Sequence, residues 1–174
     1  MRSQEPATEL NSGFSSKGAT PTAWAQARVD LEEAEVYWLS TVRPEGRPHV
    51  TTIVGVWLDG AFVFCTGPAE RKAENLAHNP HCVVVTGRNG LEGLDLVVEG
   101  RAGKVGDSAE LRRIADTYES KYGPHFTDPD GTWFGLGDAI RSGEVLVFRV
   151  APSTAFGFGK GQVFSQTRWR FERE

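Results

Sequence analysis

The sequence predicts a mainly β protein, an antiparallel barrel of six or seven strands flanked by two or three helices. Three observations carry this reading. Short β-branched and aromatic runs recur along the chain, at 36–42, 61–65, 82–86 and 145–150, with side chains that suit a pleated, half-buried surface. Turn chemistry separates them: Arg43-Pro44-Glu45-Gly46, Asp59-Gly60 and Asn89-Gly90 are strong reversal signals. Twenty glycines, with 39% hydrophobic and 24% charged residues, suit a turn-rich globular chain better than a helical bundle. Closure into a barrel is expected because it removes unpaired edges.

The elements follow in order. Residues 1–22 are rich in Ser, Thr, Gly, Pro, Glu and Gln; they are expected to be a mobile arm that orders against a partner subunit. The remaining 23–174 fit one domain. A helix is expected from about Ala23 to Glu35, since Trp24, Ala27, Leu31 and Ala34 recur at helical spacing. Strands follow from Val36 to Val42, from His49 to Leu58 and from Ala61 to Cys65, with Asp59-Gly60 closing the second hairpin. Gly67-Pro68 reads as a helix start and Asn79-Pro80 as its stop. Strands from Cys82 to Thr86 and Leu94 to Ala102 precede a helix from Ser108 to Tyr122. Asp107 and Glu110 form a capping-box-like pair there, and Gly123-Pro124 is the expected stop. Residues 125–142, with Trp133 and Phe134, read as an ordered loop containing a short helical turn; strands at Val145–Val150, Thr154–Phe158 and Phe164–Arg170 end the fold.

Composition excludes several classes of function. A net charge of −4 argues against coating nucleic acid. No apolar run approaches the roughly 18 residues of a membrane span, and no leader pattern opens the chain. Cys65 and Cys82 lack CxxC or Cys/His spacing, which points away from disulfides and zinc and toward a reducing cytoplasm. His49, His78, His81 and His125 lack metal spacing, and Asp128 and Asp130 lack that of a calcium loop. Gly157-x-Gly159-x-Gly161 is followed by no helix pattern and is no dinucleotide fingerprint.

Chemistry concentrates in Phe64-Cys65-Thr66-Gly67-Pro68-Ala69-Glu70-Arg71-Lys72. A strand delivers the chain to a helix start, where free N–H groups, the Thr66 hydroxyl, the Arg71 fork and the Lys72 charge can converge on one anion. The plain alternative is an Arg-Lys pair solvated on a helix face. Phe64, Thr66, Gly67, Arg71, Lys72, Asn75, Leu76, Asn79 and Pro80, with the upstream hairpin Thr41 to Val50, resemble the pattern of pyridoxamine 5′-phosphate oxidase-like proteins. The resemblance covers roughly residues 30–170.

That resemblance implies a Greek-key-like split β-barrel and a homodimer with two sites along its interface. The cofactor would be FMN or a deazaflavin coenzyme of the 8-hydroxy-5-deazaflavin type. It places Pro48, His49, Val50, Thr51 and Thr52 beside the flavin ring, and Phe64, Cys65, Thr66, Arg71 and Lys72 at the phosphate. The tail Phe156 to Phe171 resembles a flavin/deazaflavin oxidoreductase branch, so Lys160, Trp169 and Arg170 are expected to reach the partner's cofactor. The alternative for these is a closing strand with Trp169 in the core and Arg170 exposed. The implied activity is hydride transfer between the bound cofactor and a small organic substrate, with no obligatory side-chain acid or base. The vitamin-forming oxidase itself carries a His two residues after an Arg near its end, and this chain has no His beyond His125. A non-catalytic carrier of flavin, deazaflavin or haem is the rival of another class.

Overall fold

In the computed structural model, which describes residues 5–126 and 135–172, alternation along each strand sets the sheet. In β2 (Tyr37–Val42) Tyr37, Leu39 and Thr41 are buried, while Trp38 is 40% exposed, the two-residue period of a strand with one face on the core. β2 pairs antiparallel with β3 (Pro48–Ile53) on one side and β6 (His81–Thr86) on the other. A second hairpin joins β4 (Val56–Leu58) to β5 (Ala61–Thr66) through Asp59 and Gly60, whose φ angles of 51° and 75° give the doubly left-handed turn that suits strand twist. From β6 the sheet continues through β7 (Gly93–Lys104), β8 (Leu146–Lys160) and β9 (Ser165–Arg170) to β1 (Ala7–Leu10).

β8 is the seam. Its first residues pair with β5 and its last with β9, while β7 runs along nearly all of it. The expected two strands at 145–150 and 154–158 are therefore one. Pro152 does not break it because it sits at a register shift opposite Gly100, and bulges tolerate a residue without an N–H. Gly100 is needed there: a Cβ would stand 2.4 Å from the Ala151 carbonyl oxygen.

Among the described residues four α-helices pack on this frame: α1 (Trp24–Glu33), α2 (Arg71–His78), α3 (Ser108–Phe126) and α4 (Leu136–Ser142). α3 overruns its expected stop by one turn, where the Phe126 ring packs on Tyr122 at 5.9 Å. Asp107 caps it as expected, accepting from the Glu110 N–H at 2.8 Å. Of the loop at 125–142, α4 is the helical turn; residues 127–134, with Asp128, Asp130, Trp133 and Phe134, lie outside the described residues.

The architecture is the expected antiparallel split barrel, with three corrections. Among the described residues there are nine strands and four α-helices rather than six or seven and two or three. The extra strands come from β1 and from a break in the expected 49–58 strand. At that break the Gly55 N–H donates to the Tyr122 hydroxyl instead of to a neighbouring strand. Among the described residues the ladder is also not closed, since β3 pairs only with β2 and β4 only with β5. Finally, the N-terminal arm is built onto its own chain: β1 pairs with β9, and Thr22 N–H donates to Thr167 Oγ1 at 2.9 Å. Few apolar groups are needed, because the edge of β9 supplies the hydrogen bonds.

Two apolar clusters lie on either side of β5. Inside the barrel, Trp24, Leu31, Tyr37, Leu39, Phe62, Phe64, Leu96, Phe148 and Trp169 pack together. Outside, Val56, Val63, Ile114, Tyr118, Tyr122 and Ile140 pack beneath α3 and α4. No helix among the described residues is long and apolar enough to cross a membrane.

Candidate functional site

β5 is buried on both faces, which explains its unbroken apolar run Ala61 to Cys65. Where it ends, Thr66 and Gly67 enter a tight turn closed by Glu70 N–H to Gly67 O at 3.1 Å, and α2 begins at Arg71 with Glu70 as its cap residue. The helix start expected at Gly67-Pro68 is thus displaced by this extra turn.

The turn gathers donors around one carboxylate. Glu70 Oε1 accepts from the Gly67 N–H at 2.7 Å and from the Thr66 hydroxyl at 2.9 Å, and Glu70 Oε2 accepts from the Lys72 ammonium. Thr66 and Lys72 are buried, Lys72 to 7% exposure, while the Glu70 side chain is half exposed. Burial works to raise the Glu70 carboxyl, yet the Lys72 ammonium, the Gly67 N–H and the Thr66 hydroxyl together hold it below its ordinary value. One buried cation, one hydroxyl and one backbone N–H thus converge on a single carboxylate in a turn half open to solvent, a cradle of donors that can hold an anion.

The other expected residues divide. Arg71 turns away from the cradle to pair with Glu74 at 2.5 Å and is largely exposed. Phe64 is core, stacked on Phe148 at 5.4 Å, and Cys65 packs on the outer cluster beneath α3, where burial pushes its thiol up to about 11. Neither side chain faces the cradle; their backbone only delivers Thr66. In β3, His49 and Thr51 share the inner face with Thr41 and Leu39, whereas Pro48, Val50 and Thr52 point outward. The Asn75 amide donates to Thr41 Oγ1 at 2.9 Å. Since Thr41 lies opposite His49, that bond puts α2 and β3 at one end of the molecule. Asn75 Oδ1 and His49 Nδ1 are both buried without a hydrogen-bond partner.

The tail residues lie elsewhere. Lys160 ends β8 far from Thr66 and is held by the Arg88 carbonyl at 2.6 Å and Asp95 at 2.9 Å. Trp169 is wholly buried in this chain's core, edge-on to Trp24 at 5.3 Å, which corrects the expectation that it reaches a cofactor. Arg170 is exposed on β9 and pairs with Glu9 at 3.4 Å. Glu70 is not among the expected site residues, and Asn75 enters only as part of the family pattern; the Gly67-x-x-Glu70 spacing, that of a helix-start carboxylate reaching back to an N–H, is the signal that finds the first.

Among proteins of known sequence, residues 23–156 match the family model described as pyridoxamine 5′-phosphate oxidase. A pyridoxine/pyridoxamine 5′-phosphate oxidase of Bacteroides thetaiotaomicron is 38% identical over 85 residues, 47% of this chain and 39% of the relative. The match thus spans well under half of that relative's length. Among solved structures, a haem storage protein from Vibrio cholerae superposes with a TM-score of 0.61 at 20% identity, covering 79% of this chain and 94% of that one. A FAD-binding protein from Mesorhizobium loti superposes with a TM-score of 0.56 at 21% identity over 84% and 95%. At these identities the two structures share the fold.

Proposed function

The chain belongs to the pyridoxamine 5′-phosphate oxidase family, and from that premise we propose that it binds a flavin or deazaflavin phosphate at the β5–α2 cradle and acts as an oxidoreductase on a small organic substrate. The single observation that carries this reading is the convergence of Thr66, the Gly67 N–H and Lys72 on one carboxylate. These residues would hold the phosphate, with Arg71 swinging in from the exposed first turn of α2 once it leaves Glu74. Bound flavin supplies hydride acceptance and donation. The protein's own part is to bind, orient and exclude water, with His49, opposite Thr41 on β2, at the same end of the barrel as α2.

A homodimer is part of the proposal. Outward side chains at paired positions, Trp38, Val85, Val97 and Phe156, form an apolar row across β2, β6, β7 and β8, beside Val50 at 57% exposure on the β3 edge. A row of this kind on an open sheet supports burial against a second copy. In such a dimer the partner's Lys160 and Arg170 approach the site. Sedimentation of the wild type as a dimer and of Trp38→Glu as a monomer is the expected pair of results. Two free thiols agree with a reducing cytoplasm.

Fluorescence titration with FMN, riboflavin and the deazaflavin coenzyme tests the central claim. Arg71→Ala/Lys72→Ala is expected to lose most of its affinity for the phosphorylated flavins and to keep whatever affinity it has for riboflavin. Unchanged titration removes the phosphate assignment. The fold shared with a haem storage protein favours a carrier as the second reading, which bound flavin that reduces without turnover of any acceptor would support.

A further inference from the structure

We propose that Glu70 is an acidic gate on the cradle: its carboxylate holds the anion position in the free protein and has to leave before a phosphate group binds. The inference rests on reading the cradle as a phosphate site and concerns what stands in it. Each donor is already engaged. The Gly67 N–H and the Thr66 hydroxyl have one proton apiece, and both serve Glu70 Oε1, while the buried Lys72 ammonium serves Oε2. A phosphate oxygen therefore takes the Gly67 and Thr66 protons only by replacing a carboxylate oxygen, while the three-proton Lys72 ammonium can serve either anion. A phosphate left beside the unmoved carboxylate would face a like charge in a partly buried turn.

The surroundings favour replacement over coexistence. Glu70 is the cap residue of α2, with extended backbone at φ −78° and ψ 146°, so its side chain can rotate toward solvent without disturbing the helix. Gly67 makes room for the closed position: a Cβ there would lie 3.3 Å from Glu70 Oε1. Lys72, by contrast, is fixed by burial and waits for whichever anion is present. Phosphate affinity is accordingly a competition against a tethered carboxylate, whereas a ligand without phosphate leaves the gate shut.

The test is calorimetric titration of the full chain and of Glu70→Gln and Glu70→Ala with FMN, riboflavin and inorganic phosphate. Thermal unfolding checks that each variant is folded. Glu70→Gln keeps an oxygen acceptor and removes only the charge, so it guards against loss of the turn in Glu70→Ala. Both folded variants are expected to bind FMN about tenfold tighter or more, in line with the strength of a charged hydrogen bond, with riboflavin affinity unchanged. FMN affinity equal to or below that of the wild type in both overturns the gate. Tighter inorganic phosphate with no FMN binding by any form upholds the gate and overturns the flavin reading. No binding of phosphate or FMN by any form overturns both.

Discussion

Two polar clusters flank β5, and they are built on opposite plans. At its end, the Thr66–Glu70–Lys72 cradle joins charged groups to one another with one side open to solvent. Beneath α3, the polar atoms are phenols and an ammonium aimed at backbone. The Tyr122 hydroxyl meets the Gly55 N–H, the Gly55 carbonyl and the Glu35 carbonyl, and the Tyr118 hydroxyl meets the Val54 and Val63 carbonyls. Lys121 donates to Tyr37 and to the Gly55 carbonyl. The second cluster satisfies a strand break and has no replaceable member. The first holds a half-exposed carboxylate, which on the proposed reading another anion replaces; this difference would separate a binding site from a brace, although both contain a half-buried or buried lysine.

The largest effect that would sharpen this contrast is expected at Tyr122→Phe. It strands the buried Gly55 N–H, a loss worth about 1–3 kcal/mol, while the Gly55 carbonyl keeps the Lys121 ammonium, so urea unfolding should show a loss within that range, and FMN affinity of the folded protein stays constant. A large change in affinity would break the division. Next comes Lys72→Ala, expected to weaken FMN binding about 10- to 100-fold, the worth of a charged hydrogen bond, with a smaller effect on unfolding.

The pH dependence of stability distinguishes the brace in another way. Burial lowers Lys121 from 10.5 to about 8, against the pull of Glu35 and Glu32. Between those values the unfolded chain holds a proton that the folded chain does not, so this group makes stability rise with pH across that window. Burial raises Cys65 to about 11 and Cys82 to about 12 from 9.0. Here the folded chain retains protons that the unfolded chain loses, so stability falls above pH 9. Unfolding at pH 8, 9 and 10.5 should show a rise and then a fall; Lys121→Met should abolish the rise alone. The smallest effect is expected at Arg71→Ala, whose exposed pair with Glu74 should contribute less than about 0.5 kcal/mol to stability.

What the sequence revealed follows from how local each signal is. Asp59-Gly60 and the run Ala61 to Thr66 specify a hairpin and a doubly buried strand from adjacent residues alone, and both are present. Arg71 and Lys72 read as a pair in sequence, but neighbours on a helix point about 100° apart, so only Lys72 faces the cradle. Trp169 lost its expected role to strand parity: Thr167 and Trp169 face inward while Arg168 and Arg170 face outward. β1 was illegible because nothing in Ala7 to Leu10 marks a strand; its partner lies at the other end of the chain. The proposed gate at Glu70 leaves only a spacing, Gly67-x-x-Glu70, as its trace in the sequence, and the three converging donors give that spacing its chemistry.

The pairing of β1 with β9 also orders events in time. Ala7 lies opposite Arg170, so during synthesis the first strand has no edge to join until the last one has left the ribosome. Contacts so distant in sequence form slowly. Until then the arm has no partner strand, and a chaperone that holds the amino-terminal segment would delay only this final step, leaving the hairpins and the turn after β5 to assemble without it.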